Sequence, residues 1–128
     1  MNLLKTSLLT LSFLVAAPVF ADASVHVLDT NKGLPGSNIE VKFYEKSGEE
    51  WKLLSTQKTD ENGRIKKFDF GEGSVYRAEF NVGEFFNSQN IDSFYSSIPV
   101  DFKVEDKDAH YHIPLLLSPY AYSTYRGN

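Results

Sequence analysis

Short segments with a period-two hydrophobic pattern, separated by turn residues, constrain the fold of this chain more than any other feature. In residues 39–46, the apolar Ile39, Val41 and Phe43 alternate with more polar side chains, as in a strand with one buried face. Comparable segments span residues 25–30, 51–58, 64–70, 74–82, 98–105, 109–117 and 120–126. Eight strands spaced at about 8–12 residues predict an all-β sandwich of two sheets.

Residues 83–90 break this alternation. They place Phe85, Phe86 and Gln89 at nearly helical spacing, which predicts one short helix. Aromatic residues make up 14% of the chain, and they favour strands because they pack well on a pleated surface. The expected fold is therefore a single sandwich domain with one short helix.

The first 21 residues have the pattern of a secretory signal peptide. Lys5 provides the positive charge, residues 8–15 are nearly all apolar, and small residues lie where a signal peptidase cuts. Cleavage is expected after Ala21, with Ala23 as a second candidate, which leaves residues 22–128 as the mature domain. An exported chain without cysteine fits a bacterial periplasm, where disulfides can form but are not required.

Charge and cysteine content exclude several classes of function. The net charge of −4 argues against nucleic acid as a partner, because phosphate binding needs a basic face. The apolar leader is too short to span a membrane comfortably, so no membrane partner is expected. Zero cysteines exclude a disulfide scaffold, an iron–sulfur site and a thiol nucleophile.

The three histidines provide the main candidate for a site. His110 and His112 lie two residues apart on one predicted strand and therefore share a face, while His26 lies on the first strand. Tyr111 and Ile113 point to the opposite face, which is expected to be core. Taken alone, such histidines, and an arginine such as Arg64 after an Asn-Gly turn, are more often ordinary surface or structural residues than parts of a site.

Four segments carry a family resemblance. They are residues 26–36 (His-Val-Leu-Asp-Thr to Leu-Pro-Gly), 59–65 (Thr-Asp-Glu-Asn-Gly-Arg-Ile), 110–119 (His-Tyr-His-Ile-Pro-Leu-Leu-Leu-Ser-Pro) and 120–128 (ending Tyr-Arg-Gly-Asn). On these motifs the chain resembles the transthyretin-related family, in its bacterial 5-hydroxyisourate hydrolase form. The hormone carrier transthyretin shares the Leu-Leu-Ser-Pro-Tyr run but lacks the histidine pair and the terminal Tyr-Arg-Gly.

The resemblance implies a transthyretin-like sandwich that assembles as a homotetramer, a dimer of dimers. It implies hydrolysis of the small molecule 5-hydroxyisourate to 2-oxo-4-hydroxy-4-carboxy-5-ureidoimidazoline, in urate degradation. Water attacks a ring carbonyl and a C–N bond breaks, with no cofactor and no metal required. A homologous carrier that binds a small molecule in the periplasm is the alternative function.

The resemblance also implies roles for individual residues. The catalytic group comprises His26, Arg64 and His112. One histidine would be the general base, although the sequence does not say which, and the arginine would hold a ring carbonyl or an anionic oxygen. The expected substrate-binding residues are His110, Tyr125, Arg126, Gly127 and Asn128, the last four from a neighbouring subunit.

One departure from the family pattern concerns the last position. The usual motif ends in Tyr-Arg-Gly-Ser, whereas this chain has Asn128, which keeps a hydrogen-bonding side chain but is bulkier. Activity is expected to persist with a changed pocket shape. Three imidazoles could also suit zinc with an open coordination position, but the implied reaction does not need a metal. A structural, adhesin-like sandwich would leave the histidines and Arg64 without a role.

Overall fold

The computed structural model describes residues 22–128, which form nine strands and one helix. The predicted signal peptide, residues 1–21, lies outside the described residues. In chain order the elements are β1 (Asp22–Asp29), β2 (Leu34–Pro35), β3 (Glu40–Ser47), β4 (Glu50–Lys58), β5 (Arg64–Asp69), β6 (Val75–Phe80), α1 (Val82–Asn87), β7 (Ile98–Lys103), β8 (His110–Leu117) and β9 (Tyr122–Thr124).

The strands form two sheets. The first has the order β2-β1-β8-β9, and β5 also pairs with β1; the second has the order β4-β3-β6-β7. Every pairing is antiparallel except that of β1 with β8, which is parallel. The predicted all-β, two-sheet sandwich with one short helix is therefore confirmed.

The core lies between the sheets and follows the period-two pattern. Alternate residues of each inner strand are fully buried, such as Val41 and Phe43 on β3. The Phe43 ring stacks on Phe68, with ring centroids 4.7 Å apart, and on Tyr76 at 5.6 Å. Because the apolar face of each strand is committed to this core, polar side chains of the first sheet point outward, where a site can form.

Several element boundaries differ from the sequence-based predictions. Strand β1 begins at Asp22, three residues before the predicted start, because it pairs there with both β5 and β8. The two-residue β2 was not predicted, since it is too short to carry a pattern. The helix spans Val82–Asn87 rather than residues 83–90, and the last strand covers only Tyr122–Thr124.

Pro114 explains the short last strand. Strands β8 and β9 pair Leu115 with Thr124, and the same register would next pair Pro114 with Tyr125. Proline has no N–H to donate, so the ladder is interrupted there. Pairing resumes as a single bridge between His112 and Gly127.

Within residues 22–128, no helix is long and apolar enough to cross a membrane.

Candidate active site

A polar cavity of about 320 Å³ opens on the outer face of the first sheet. The parallel register places Asp22 beside His110 and Ser24 beside His112, and β5 brings Arg64 to the other side of β1, opposite His26. Side chains two residues apart on a strand share a face, so these groups from three strands converge. The cavity is lined by Ser24, Val25, Arg64, Ile65, Lys66, His110, His112 and Asn128.

A tight turn positions Arg64 at the start of β5. The Asp60 carboxylate accepts hydrogen bonds from the backbone N–H groups of Asn62 and Arg64, both at 2.9 Å. Both bonds lower the pKa of Asp60, and the bond from the Arg64 backbone has the larger effect. Gly63 has a φ of 74°, and a Cβ there would lie 2.5 Å from the Val27 carbonyl oxygen. The Asn-Gly turn therefore needs glycine to place Arg64 next to β1.

His26 is partly buried and does not line the cavity itself. Burial lowers the pKa of its imidazole, and the positive charge of Arg64 lowers it further. A hydrogen bond to the Asn62 backbone and the charge of Asp60 act in the opposite direction. The net effect favours a neutral His26 ring near neutral pH.

His112 is also held in its neutral form. Burial lowers its pKa, followed by the charge of Arg64 and the neighbouring His26 and His110. A hydrogen bond with the Ser24 backbone opposes this shift. A neutral, half-buried imidazole next to a permanent cation has the properties of a general base.

Two residues that the sequence analysis missed tie His110 and His112 together. The Ser24 hydroxyl lies 2.8 Å from His110 Nε2 and 2.7 Å from His112 Nδ1, and Asp22 contacts His110 Nδ1. Period-two spacing already puts Asp22 and Ser24 on the same face as His26. The missing information was the parallel pairing of β1 with β8, which no local pattern contains.

The C-terminal residues divide between two cavities. Asn128 lines the polar cavity within the same chain, and Gly127 packs against the His112 ring. Tyr125 and Arg126 instead line a neighbouring, more apolar cavity of about 260 Å³, where the Arg126 guanidinium lies 4.9 Å from the centre of the Tyr111 ring. One chain therefore unites the predicted His110, His112, Arg64 and Asn128 around the first cavity. His112 also lines the second cavity, together with Tyr125 and Arg126.

No three His, Asp or Glu side chains among residues 22–128 are grouped closely enough to share one metal ion. Both ring nitrogens of His110 are already engaged, Nδ1 with Asp22 and Nε2 with Ser24. One ring nitrogen of His112, Nδ1, is engaged with Ser24. The geometry of the described residues therefore does not favour the zinc alternative.

Proton NMR titration of the three histidines tests the electrostatics of the site. We expect His26 and His112 to titrate below the ordinary value of 6.5, so both are neutral at pH 7 and gain a proton only as the pH falls below that value. The Arg64→Met variant is expected to raise both midpoints, because it removes a positive charge. Midpoints at or above 6.5 in the unmodified protein would contradict this description.

Substitution of Gly127 tests whether the terminal segment positions His112. A Cβ at Gly127 would lie 2.5 Å from His112 Cδ2 and 3.1 Å from Pro114 Cγ, so Gly127→Ala must displace the imidazole. We expect roughly a tenfold or greater loss of catalytic rate with little loss of stability. Ser123→Ala, an exposed position on β9, is the control and should keep the rate. Equal rates for both variants would show that Gly127 does not position His112.

Comparison with known proteins agrees with this geometry. The profile of the HIUase/Transthyretin family matches residues 23–127. A Salmonella typhimurium protein named 5-hydroxyisourate hydrolase is 43% identical over 124 residues, covering 90% of this chain and 91% of that protein. The structure of Klebsiella pneumoniae 5-hydroxyisourate hydrolase superposes with a TM-score of 0.73 at 27% identity, covering 84% of this chain and 94% of that one. Sea bream transthyretin in complex with thyroxine superposes with a TM-score of 0.75 at 30% identity, covering 82% and 93%.

Proposed function

This chain belongs to the HIUase/transthyretin family, and we infer from that membership and from its site that it is a 5-hydroxyisourate hydrolase. It acts in urate degradation, where it opens the six-membered ring of 5-hydroxyisourate to 2-oxo-4-hydroxy-4-carboxy-5-ureidoimidazoline. The observation that carries this function is the polar cavity in which Arg64 and His112 meet, next to His26.

Hydrolysis of a cyclic amide needs a base for the attacking water. Water forms a C–O bond to the ring carbonyl, its proton passes to the base, and the C–N bond breaks as the nitrogen regains a proton. The lowered pKa of His26 and His112 leaves both imidazoles neutral near pH 7, which is the form that accepts a proton. We propose that an imidazole of this pair accepts the proton from the attacking water.

The carbonyl oxygen gains negative charge as water adds to the carbon. Arg64 remains charged at every relevant pH, and its planar guanidinium can donate two hydrogen bonds to such an oxygen. The Asp60–Gly63 turn holds its backbone in place, so little reorganisation is needed when the charge develops. In this proposal Arg64 stabilises the oxyanion, and His110, Asn128 and the segment Tyr125, Arg126 and Gly127 shape the pocket around the flat substrate.

A direct assay tests the function. Urate oxidase generates 5-hydroxyisourate in the cuvette, and its ultraviolet signal is followed with and without the protein after removal of residues 1–21. Accelerated decay that scales with protein concentration is the expected result. Saturable binding without acceleration would contradict the hydrolase function and indicate the carrier function instead.

We propose further that the protein is a homotetramer, a dimer of dimers. The cavity is open on the sheet surface, and the outer strands β7 and β9 present free edges. Exposed aromatic side chains lie near these edges: Phe94 is 73% exposed, and Tyr95 packs edge-to-face against Tyr122 of β9. A second copy would cover these apolar surfaces and close the site.

Substitution of Phe94 tests this assembly. We expect light scattering to give four times the chain mass for the unmodified protein and a lower mass for Phe94→Asp, because a charge cannot be buried in an apolar contact. Leu53→Asp on the outer strand β4, 49% exposed in the described chain, is the matched control and should keep the tetramer. A monomeric unmodified protein would contradict the proposal.

We also propose that the chain is exported to the periplasm and cut after Ala21. Asp22 contacts His110, and Ala23 is fully buried in the core. These contacts favour the Ala21 site over Ala23, because cleavage after Ala23 would remove both residues. Cell fractionation with intact-mass measurement should find the protein in the periplasm beginning at Asp22. Recovery of the whole chain from the cytoplasm would contradict this proposal.

A further inference from the structure

Four side chains form one continuous hydrogen-bonded chain along the wall of the cavity. The Ser24 hydroxyl bridges His112 Nδ1 and His110 Nε2, at 2.7 and 2.8 Å, and His110 Nδ1 contacts the Asp22 carboxylate. Ser24 is 9% exposed, so water does not compete freely for its hydroxyl. Within residues 22–128, no hydrogen bond engages the other nitrogen of His112, Nε2.

We propose that Asp22, His110 and Ser24 form a proton relay behind His112, so that His112 acts as the general base through Nε2 while the resulting positive charge is held on His110 beside Asp22. The proposal rests on the hydrolase function inferred above. It assigns the base, which the sequence left open between two histidines, and adds Ser24 and Asp22 as positioning residues.

Proton counting gives the direction of each bond in the resting site. An ionised carboxylate can only accept a hydrogen bond, so His110 Nδ1 carries a proton and donates a hydrogen bond to Asp22. The relay requires a neutral His110 in the resting site, which has a lone pair on Nε2 that accepts a hydrogen bond from the single Ser24 O–H. Ser24 therefore accepts from His112 Nδ1–H, and the lone pair of His112 is left on Nε2, where a water molecule can approach.

The same chain can convert the base into an acid. When His112 Nε2 takes a proton from water, its Nδ1 proton moves to the Ser24 oxygen, and the Ser24 proton moves to His110 Nε2. His112 is then neutral with a proton on Nε2, and His110 is an imidazolium facing Asp22. The Nε2 proton passes to the departing ring nitrogen, and the two relay protons return, so that no proton is gained or lost over the cycle.

The charges around the site favour a positive charge on His110 over one on His112. Arg64 lowers the pKa of His112, so a positive charge on that ring would be costly. His110 is the first residue of β8, and its ring contacts the carboxylate of Asp22. Moving the positive charge to His110 thus places it next to an anion.

Substitutions at two positions, Ser24 and Asp22, test the relay. Ser24→Ala breaks the chain, and we expect kcat to fall by at least about tenfold with little change in KM, whereas Ser24→Thr keeps a hydroxyl and should restore most of the rate. Asp22→Asn should also lower kcat, because an amide in either orientation cannot neutralise the positive charge of the His110 imidazolium. Its matched control is Asp69→Asn, at the position paired with Asp22 on β5 and exposed to solvent, which should leave kcat unchanged.

The tautomer of His112 provides a readout independent of catalysis. Long-range proton–nitrogen correlation spectra of the resting protein should show the proton of His112 on Nδ1, and Ser24→Ala should shift the population towards Nε2. A resting Nε2–H tautomer, or an unchanged kcat in both Ser24→Ala and Asp22→Asn, would overturn the relay. Because the spectra need no substrate, this outcome is distinct from a failure of the hydrolase function, which the unmodified protein tests in the ultraviolet assay.

Discussion

Replacement of His112 by alanine is expected to lower kcat for 5-hydroxyisourate hydrolysis by roughly 10²–10⁴-fold, the usual contribution of a general acid–base group. The imidazole is half-buried in the polar cavity, and burial and Arg64 keep it neutral near pH 7. Alanine leaves no group there that can accept a proton from water. The measurement is the decay of 5-hydroxyisourate generated by urate oxidase, at substrate concentrations that separate kcat from KM.

Controls separate lost chemistry from lost structure. The His112→Ala variant should keep its circular dichroism spectrum, because the ring lies on the outer face of β8, away from the core. Added imidazole should restore part of the rate by occupying the vacated space. Lys42→Ala, on β3 of the other sheet, should behave like the unmodified protein. A His112→Ala variant with the unmodified rate would contradict the role of this residue.

The alternating pattern of β8 was sufficient to place His110 and His112 on the outer face of the sheet. Tyr111 and Ile113 were expected in the core and are buried there, which leaves His110 and His112 on the outer face. This prediction succeeds because the side-chain direction in a strand depends only on residue parity once one face is known to be buried. The fold class and the family were also confirmed.

The relay behind His112 was beyond the reach of the sequence analysis. Asp22 and Ser24 lie more than 80 positions before their partners, and they meet only because β1 and β8 pair in parallel in one register. Nothing in either segment specifies that pairing. The residues beside a site therefore stay hidden when they belong to a distant strand, even where the catalytic residues carry a recognisable motif.

The C-terminal segment shows a second limit. Its apolar and aromatic pattern predicted a strand over residues 120–126, but Pro114 on the neighbouring strand cannot donate the hydrogen bond that would extend it. The chain returns to β8 only at Gly127. A strand's length depends on its partner as well as on its own residues, so the pattern of one segment overestimated it.

Arg64→Met is expected to lower kcat/KM by roughly 10²–10³-fold, as found when a single oxyanion donor is removed. Methionine keeps much of the volume of the side chain but can neither donate a hydrogen bond nor carry a charge. Arg64→Lys keeps the charge without the planar pair of donors, so an intermediate loss is expected. Lys67→Met on the same strand, which removes an exposed ammonium group paired with Asp69, is the control and should keep the rate.

The pH dependence separates the two effects that Arg64 has on the site. Its charge lowers the pKa of His26 and His112, so Arg64→Met leaves more of these imidazoles protonated and inactive as bases near neutral pH. At about pH 8 both rings are neutral with or without the arginine, and that part of the loss should disappear. The loss due to the missing oxyanion donor should remain, because it does not depend on histidine protonation. Full recovery of kcat/KM at the higher pH would show that Arg64 acts only through the histidines, whereas a persistent loss places its guanidinium at the developing negative charge.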